Sequence, residues 1–255
     1  MNPWDSERIR RLLEGIAKAK QPGEADHRVL HPPSFALTPA VIKKLAHLYL
    51  SPHPLTVMHY ASITLGSFAM LRPGEMLGSP SRPPLLLKNI LFYATAGCTA
   101  PTVLLPLGVD ISIYDVPDRY TITLGITKAD RTASNLPSIV CAPLAVSALW
   151  KWMHIRRRSA TPDDRLFEFA GTPLRTRALC DIIEQSLRRI GYVDPHVTGK
   201  TFRRGGASHL VSSGASTASI MALGRWKSHT MHERYADASS KEERRVNASR
   251  GMQPL

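Results

Sequence analysis

Hydrophobic positions repeat with a helical period in several separate stretches of the chain, and Pro or Gly bounds these stretches. One helix is predicted to begin at Pro39 with Thr38 as its N-cap, because proline fits the first helical position. Further helices are predicted over residues 55–71, 143–157, 175–190, 201–213 and 216–223. Pro73 disfavours helical geometry at the preceding residue, so Arg72 is expected at the C-terminal end of the helix over 55–71, with its side chain directed away from the core.

A different pattern occupies residues 85–142, where apolar side chains alternate with a period of two at Tyr120, Ile122, Leu124 and Ile126. This alternation predicts a strand, a turn and a second strand, with Lys128 where the first strand enters its turn. The predicted fold class is therefore α+β, mainly helical, with one small antiparallel sheet.

The two ends of the chain differ from its middle. Residues 6–20 carry apolar positions along one helical face, and a polar linker containing prolines follows them. The predicted division is a helix and linker over 1–35, a main domain over 36–240 and a tail over 241–255. Residues 89–109 carry no charge, but prolines and glycines interrupt them, so a buried strand and loop are expected there instead of a membrane span.

The charge balance limits the class of partner. The chain has 33 Lys and Arg against 20 Asp and Glu, a formal net charge of +13, which favours a polyanionic partner, with nucleic acid first and an anionic membrane surface second. Its three cysteines, Cys98, Cys141 and Cys180, lack metal-ligand spacing and predict free thiols in a reducing compartment. Because the N-terminus is charged where a signal peptide is apolar, we expect an intracellular protein, nuclear in a eukaryotic host and otherwise cytoplasmic.

A cluster of cations opens one of the predicted helices. The segment "GKTFRRGGASHLVSSG" predicts a helix capped near Thr201 and stopped at Gly214, with Lys200, Arg203 and Arg204 around its first turn. Cations there oppose the helix dipole, an arrangement that makes sense if an anion binds at this end. The competing interpretation is a solvated basic face.

These residues carry a family resemblance. The segments "KTFRRGGASHL" and "MALGRWKSHTMHERY" resemble the C-terminal part of the catalytic domain of tyrosine recombinases, the phage integrase-like enzymes, especially those of eukaryotic transposons. In the same way, "FAMLRPGEML" is similar to the family's first arginine motif and "ITKADR" to the lysine on its β-hairpin. The landmarks occur in the family's order over about 36–240, which implies the tyrosine recombinase catalytic-domain fold, with 1–35 as a possible remnant of the core-binding domain.

The resemblance implies a catalytic set of Arg72, Lys128, Lys200, Arg203, Trp226 and Tyr235. Two arginines would grip the phosphate, and Tyr235 would be the nucleophile. Most recombinases of the family have His where this chain has Lys200, whereas type IB topoisomerases have Lys there. Trp226 falls where the family has His or Trp.

This chemistry has a physical basis that is independent of the family. A phosphodiester repels nucleophiles, so its oxygens need donors that stabilise the charge of the transition state, and arginines stay protonated while doing so. Attack by a tyrosine hydroxyl, whose ordinary pKa is about 10, gives a phosphotyrosyl intermediate that keeps the bond energy for rejoining, and the resemblance implies that the linkage is to the 3′ phosphate. No cofactor and no metal are therefore expected.

Each of these residues also has a purely structural interpretation. Arg72 with Glu75 could form a plain salt bridge at a helix end, and Glu75 is expected to orient Arg72. Lys128 could be an ordinary turn lysine, Trp226 a core aromatic and Tyr235 a core tyrosine.

Double-stranded DNA is the predicted partner and no membrane is expected, while the resemblance implies a homotetramer on paired sites. The expected DNA contacts beyond the catalytic set are Arg204, Arg225, Lys227, His229, Arg156 and Arg157. The leading function is DNA strand cleavage and rejoining in recombination or integration. The alternatives are a non-catalytic DNA-binding protein derived from such an enzyme and a type IB-like topoisomerase.

Overall fold

The architecture is known from a computed structural model, which describes residues 34–93, 116–125, 138–156 and 160–226. Within these ranges the helices are α1 Pro39–Leu45, α2 Pro54–Phe68, α3 Pro73–Met76, α4 Pro143–Arg156, α5 Thr176–Arg189, α6 Thr201–Ser212 and α7 Thr217–Gly224. Short 3-10 helices span Ala46–Tyr49 and Leu87–Asn89. The strands are β1 Ile90–Tyr93, β2 Arg119–Ile122, β3 Ser138–Val140, β4 Glu168–Phe169 and β5 Thr172–Pro173.

Helix starts follow the proline signals of the sequence. The helices α1 to α4 all begin at a proline, where the missing N–H leaves no bond unmade. The predicted N-cap Thr38 is confirmed, since its Oγ1 accepts a hydrogen bond from the backbone N of Val41 at 3.4 Å.

The strands β1, β2 and β3 form an antiparallel sheet in that order. Phe92 faces Tyr120, which in turn faces Val140, and all three side chains are buried. The predicted alternation is confirmed in β2, where Tyr120 and Ile122 lie inside while their neighbours are partly exposed. A second small antiparallel sheet of β4 and β5 has no counterpart in the prediction, because strands of two residues have no readable period.

The core is built around α2, which packs mainly against α4 and also against α6. Trp152 on α4 is fully buried, and its indole Nε1 donates to the carbonyl of Leu166 at 2.7 Å. None of the helices in the described ranges is long and apolar enough to cross a membrane. Cys141 is an exposed free thiol and Cys180 a buried one, while Cys98 lies outside the described residues.

The chain reverses sharply between α2 and α3, and this corrects one detail of the prediction. The helix α2 ends at Phe68, and Met70 follows in the left-handed region at φ 50°. Arg72 is therefore the N-cap of α3 and not the last residue of α2, and its backbone is extended (φ −78°, ψ 146°), as Pro73 dictates.

The segment from Ser34 to Leu37 lies against the start of α6. Phe35 donates its backbone N–H to the carbonyl of His196 at 2.7 Å, and the hydroxyls of Ser34 and Thr201 are 2.9 Å apart. Gly205 allows this approach, because a Cβ there would lie 2.0 Å from the carbonyl oxygen of Leu37. The predicted helix over 6–20 and the tail over 241–255 lie outside the described residues, and the proposed domain division remains a prediction.

Candidate active site

The carboxylate of Glu75 is the centre of a buried cluster of charges at the start of α3. Its side chain is 3 % exposed. Oε2 accepts a hydrogen bond from the backbone N of Arg72 at 2.8 Å, which closes the first turn of α3. Both oxygens also accept from Nη2 of Arg203, at 2.9 and 3.0 Å, although the two residues are 128 positions apart.

Arg72 and Arg203, the two predicted phosphate-gripping arginines, meet at this carboxylate. Nη1 of Arg72 lies 3.4 Å from Oε1 of Glu75, the same oxygen that Arg203 contacts at 2.9 Å. The Arg72 side chain keeps 39 % of its surface exposed, because the extended backbone of an N-cap residue holds it at the rim of the fold. Arg203, on the first turn of α6, is only 5 % exposed.

Arg203 is also fixed by the reversal between α2 and α3. Its Nε donates to the carbonyl of Met70 at 3.0 Å. Nε and Nη2 are thus committed to protein acceptors, whereas Nη1 makes no hydrogen bond with the described residues. One edge of this guanidinium is therefore held in place and one nitrogen is left over for another acceptor.

A third guanidinium belongs to the cluster. Arg225 directly follows α7 in a left-handed conformation, φ 54° and ψ 45°, and its Nη2 lies 3.5 Å from Oε2 of Glu75. Its side chain is 9 % exposed, and its nitrogens donate to the carbonyls of Ala69, Met70 and Leu223 and to the Ser138 hydroxyl. The sequence predicts a DNA contact for Arg225, but its guanidinium is turned into the protein.

The electrostatics leave the cluster positive. Burial raises the pKa of the Glu75 carboxyl, but the charges of Arg203, Arg225 and Arg72 and the Arg72 N–H outweigh it, so the pKa lies below its usual value. Burial lowers the pKa of Arg203 to about 10, with Glu75 opposing the shift. Glu75 is thus ionised and Arg203 protonated at neutral pH, so three arginines against one carboxylate carry a net charge of +2.

Trp226 packs beside this cluster. It is 8 % exposed and lies in a small apolar group with Met70, Ala207 and Ile220, so it covers the reversal that carries Arg72. Gly224 leaves room for the indole, since a Cβ at that position would come within 2.8 Å of the ring. The packing role expected of Trp226 fits this placement.

The start of α6 presents further cations. Lys200 is the N-cap of α6, one residue earlier than the cap expected near Thr201, and its side chain is exposed. Arg204 is half-buried on the first turn, which contains no acidic residue. A cleft of about 160 Å³ opens beside Glu75, and its lining includes Arg82, Asn89 and Gly125.

Other predicted residues are not brought to the cluster by the described structure. Arg156 is buried at 8 % exposure and donates from Nη2 to the carbonyl of Arg165 at 3.2 Å, a placement that does not favour the predicted DNA contact. Five further predicted residues lie outside the described ranges, namely Lys128, Arg157, Lys227, His229 and Tyr235.

The sequence points to Arg72 and Arg203 but not to the central position of Arg225. In the sequence, Arg225 is marked only by its place between Gly224 and Trp226, and that place does not reveal the left-handed turn that directs its side chain inward.

Comparison with known proteins agrees with this architecture. Residues 127–242 match the model of the phage integrase family. Among solved structures, XerA recombinase is similar at a TM-score of 0.51 and 16% identity, over 92% of this chain and 68% of that one. XerH site-specific recombinase bound to difH substrate is similar at a TM-score of 0.55 and 16% identity, over 79% of this chain and 50% of that one. The Tn1549 transposon integrase in complex with a circular intermediate DNA is similar at a TM-score of 0.51 and 14% identity, over 92% of this chain and 76% of that one.

No curated protein matches the chain. The fold expected from the resemblance is confirmed: it is the tyrosine recombinase catalytic fold.

Proposed function

We propose that this chain, whose residues 127–242 match the phage integrase family, cleaves and rejoins DNA strands as a tyrosine recombinase. The observation that carries the proposal is the convergence of Arg72 and Arg203 on one carboxylate, with more positive than negative charge in the cluster. A phosphodiester brings the negative charge that such a cluster lacks. The solved complexes of XerH with its substrate and of the Tn1549 integrase with DNA make DNA the partner to test first.

In the proposed reaction, Arg72 and Arg203 bind the non-bridging oxygens of the scissile phosphate. The exposed side chain of Arg72 and the remaining nitrogen of Arg203 are the groups available for this. The Tyr235 hydroxyl attacks phosphorus, the Tyr235 O–P bond forms and the P–O5′ bond breaks. Lys128 protonates the departing 5′ oxygen, and Lys200 is our candidate for transferring the tyrosine proton. Attack by a 5′ hydroxyl on the phosphotyrosine reverses the sequence and rejoins a strand.

The larger assembly is part of the same proposal. We place the chain on paired DNA sites as a homotetramer inside the cell, in the nucleus if the host is eukaryotic and otherwise in the cytoplasm. The DNA contacts proposed outside the catalytic set are Arg204, Lys227, His229 and Arg157.

The test is trapping of the covalent intermediate. The substrates are nicked duplexes of randomised sequence, because the target site is not specified in advance. Cleavage beside the nick releases a short strand, which prevents rejoining, so the covalent adduct accumulates. We expect a protein–DNA adduct with the native chain and none with Tyr235→Phe. Arg177→Ala is the matched charge control, since Arg177 is exposed on α5 and pairs with Asp181 instead of Glu75, and it should leave the adduct yield unchanged.

Two outcomes would replace the proposal. Tight DNA binding without any adduct would support the non-catalytic DNA-binding protein. Relaxation of supercoiled plasmid by single protomers, without pairing of sites, would support the type IB-like topoisomerase, the class that has Lys at the position of Lys200.

A further inference from the structure

Arg225 makes more contacts to protein than a residue of the DNA surface needs. Nη1 donates to the carbonyl of Leu223 at 3.1 Å, to the Ser138 hydroxyl at 3.3 Å and to the carbonyl of Ala69 at 3.4 Å. Nη2 donates to the carbonyl of Met70 at 3.1 Å and faces Glu75 at 3.5 Å. The proposed reaction uses none of these contacts directly.

These contacts join segments that are far apart in sequence. Ala69 and Met70 form the reversal after α2, Glu75 lies on α3, and Ser138 is the first residue of β3. The Met70 carbonyl is shared, because it accepts from Nε of Arg203 at 3.0 Å as well as from Arg225. One side chain therefore connects the turn before Arg72, the partner of Arg203 and the start of a strand.

The backbone on both sides of the contact is strained. Arg225 has φ 54° and Met70 has φ 50°, and neither is a glycine. Such conformations persist where surrounding interactions determine them, and they cluster at functional sites. Here the left-handed turn at Arg225 aims its guanidinium at the carbonyl that the left-handed Met70 presents.

We propose that Arg225 is a positioning residue for the DNA cleavage proposed above, on which this inference rests. It fixes the Arg72 turn, the Arg203 guanidinium and the start of β3 relative to one another, and it does not itself contact the phosphate. Lysine cannot replace it, because a single ammonium lacks the planar fork that reaches acceptors in several directions at once.

The first test separates binding from chemistry. In Arg225→Lys the cation remains, so we expect single-turnover adduct formation at saturating DNA to slow by about a hundredfold, while the DNA dissociation constant stays within about twofold of the native value. Arg177→Lys is the matched control, with both quantities unchanged. Urea unfolding of each variant gives the folded fraction, so that rates are compared per folded molecule.

A native cleavage rate in Arg225→Lys would overturn the proposal. A larger dissociation constant for DNA at an unchanged rate of adduct formation would instead make Arg225 a DNA contact. A rate loss accounted for entirely by a smaller folded fraction would leave it a residue of stability alone.

The second test does not depend on cleavage. The Nε–H of Arg203 is hydrogen bonded to the Met70 carbonyl in a buried site, so its NMR signal should exchange slowly with solvent. We expect faster exchange in Arg225→Lys and native exchange in Arg177→Lys. Unchanged exchange in Arg225→Lys contradicts the inference. If the native chain forms no adduct, the proposed cleavage function is wrong. The exchange rate of the Arg203 Nε–H still decides whether Arg225 orders Arg203.

Discussion

Glu75 illustrates at the scale of one residue how a carboxylate can arrange cations without neutralising all of them. It accepts from the backbone of Arg72 and from Arg203 while it stays almost fully buried. A buried carboxylate among arginines is costly to remove, because the cations are then left without a counter-charge. The orienting role expected for Glu75 toward Arg72 thus extends to Arg203.

Replacing this carboxylate should destabilise the fold in a pH-dependent way. Because the folded-state pKa of Glu75 is depressed, its stabilisation is present above its unfolded pKa and is lost as pH falls through the folded value. We expect Glu75→Gln to lower the free energy of unfolding by about 3 kcal/mol at pH 7. The difference from the native chain should shrink as the pH falls below about 4.

Urea unfolding at a series of pH values measures this difference. Asp181→Asn, which removes an exposed partner of Arg177, should change stability by less than about 1 kcal/mol at any of these pH values. A Glu75→Gln chain as stable as the native one at pH 7 would contradict the buried cluster.

At the scale of elements, the helical period of the apolar positions and the prolines and glycines that bound them are enough to predict most helices. The predicted spans 143–157 and 175–190 agree with α4 and α5 to within a residue at each end, since Pro143 begins α4, an apolar stripe marks α5 and Gly191 follows it. The helix α3 escapes prediction, because a helix of four residues has no period. The reversal at Met70 is equally invisible in the sequence, since its left-handed conformation depends on acceptors and donors supplied by distant segments.

The contact of α6 with the segment before α1 can be tested by filling the space at Gly205. A methyl group there would meet the backbone of Leu37, which cannot move as easily as a flexible side chain. We expect Gly205→Ala to lower the free energy of unfolding by roughly 1–3 kcal/mol, despite the better helix propensity of alanine.

Chemical denaturation of the two chains measures the loss. The control is Gly125→Ala, where a Cβ meets nothing within 4 Å and where stability should change by less than about 0.5 kcal/mol. Equal stability of Gly205→Ala and the native chain would show that Leu37 does not lie against α6.

At the scale of the whole molecule, the net charge of +13 should appear as salt-dependent DNA binding. Each phosphate contact adds about 0.9 to the log–log slope of affinity against salt. We expect Arg204→Ala to reduce the slope by about one such contact and Arg177→Ala to leave it unchanged, as measured by fluorescence anisotropy between low and moderate salt. Identical slopes for Arg204→Ala and the native chain would remove Arg204 from the DNA surface.

The attachment of Ser34–Leu37 to α6 has a mechanical consequence. These residues continue directly from positions 1–33, and they reach α6 at Gly205, two residues beyond Arg203. A pull on the chain at Ser34 is thus carried first by the hydrogen bonds to His196 and Thr201 and next by the buried Leu37, beside the turn that bears the second arginine.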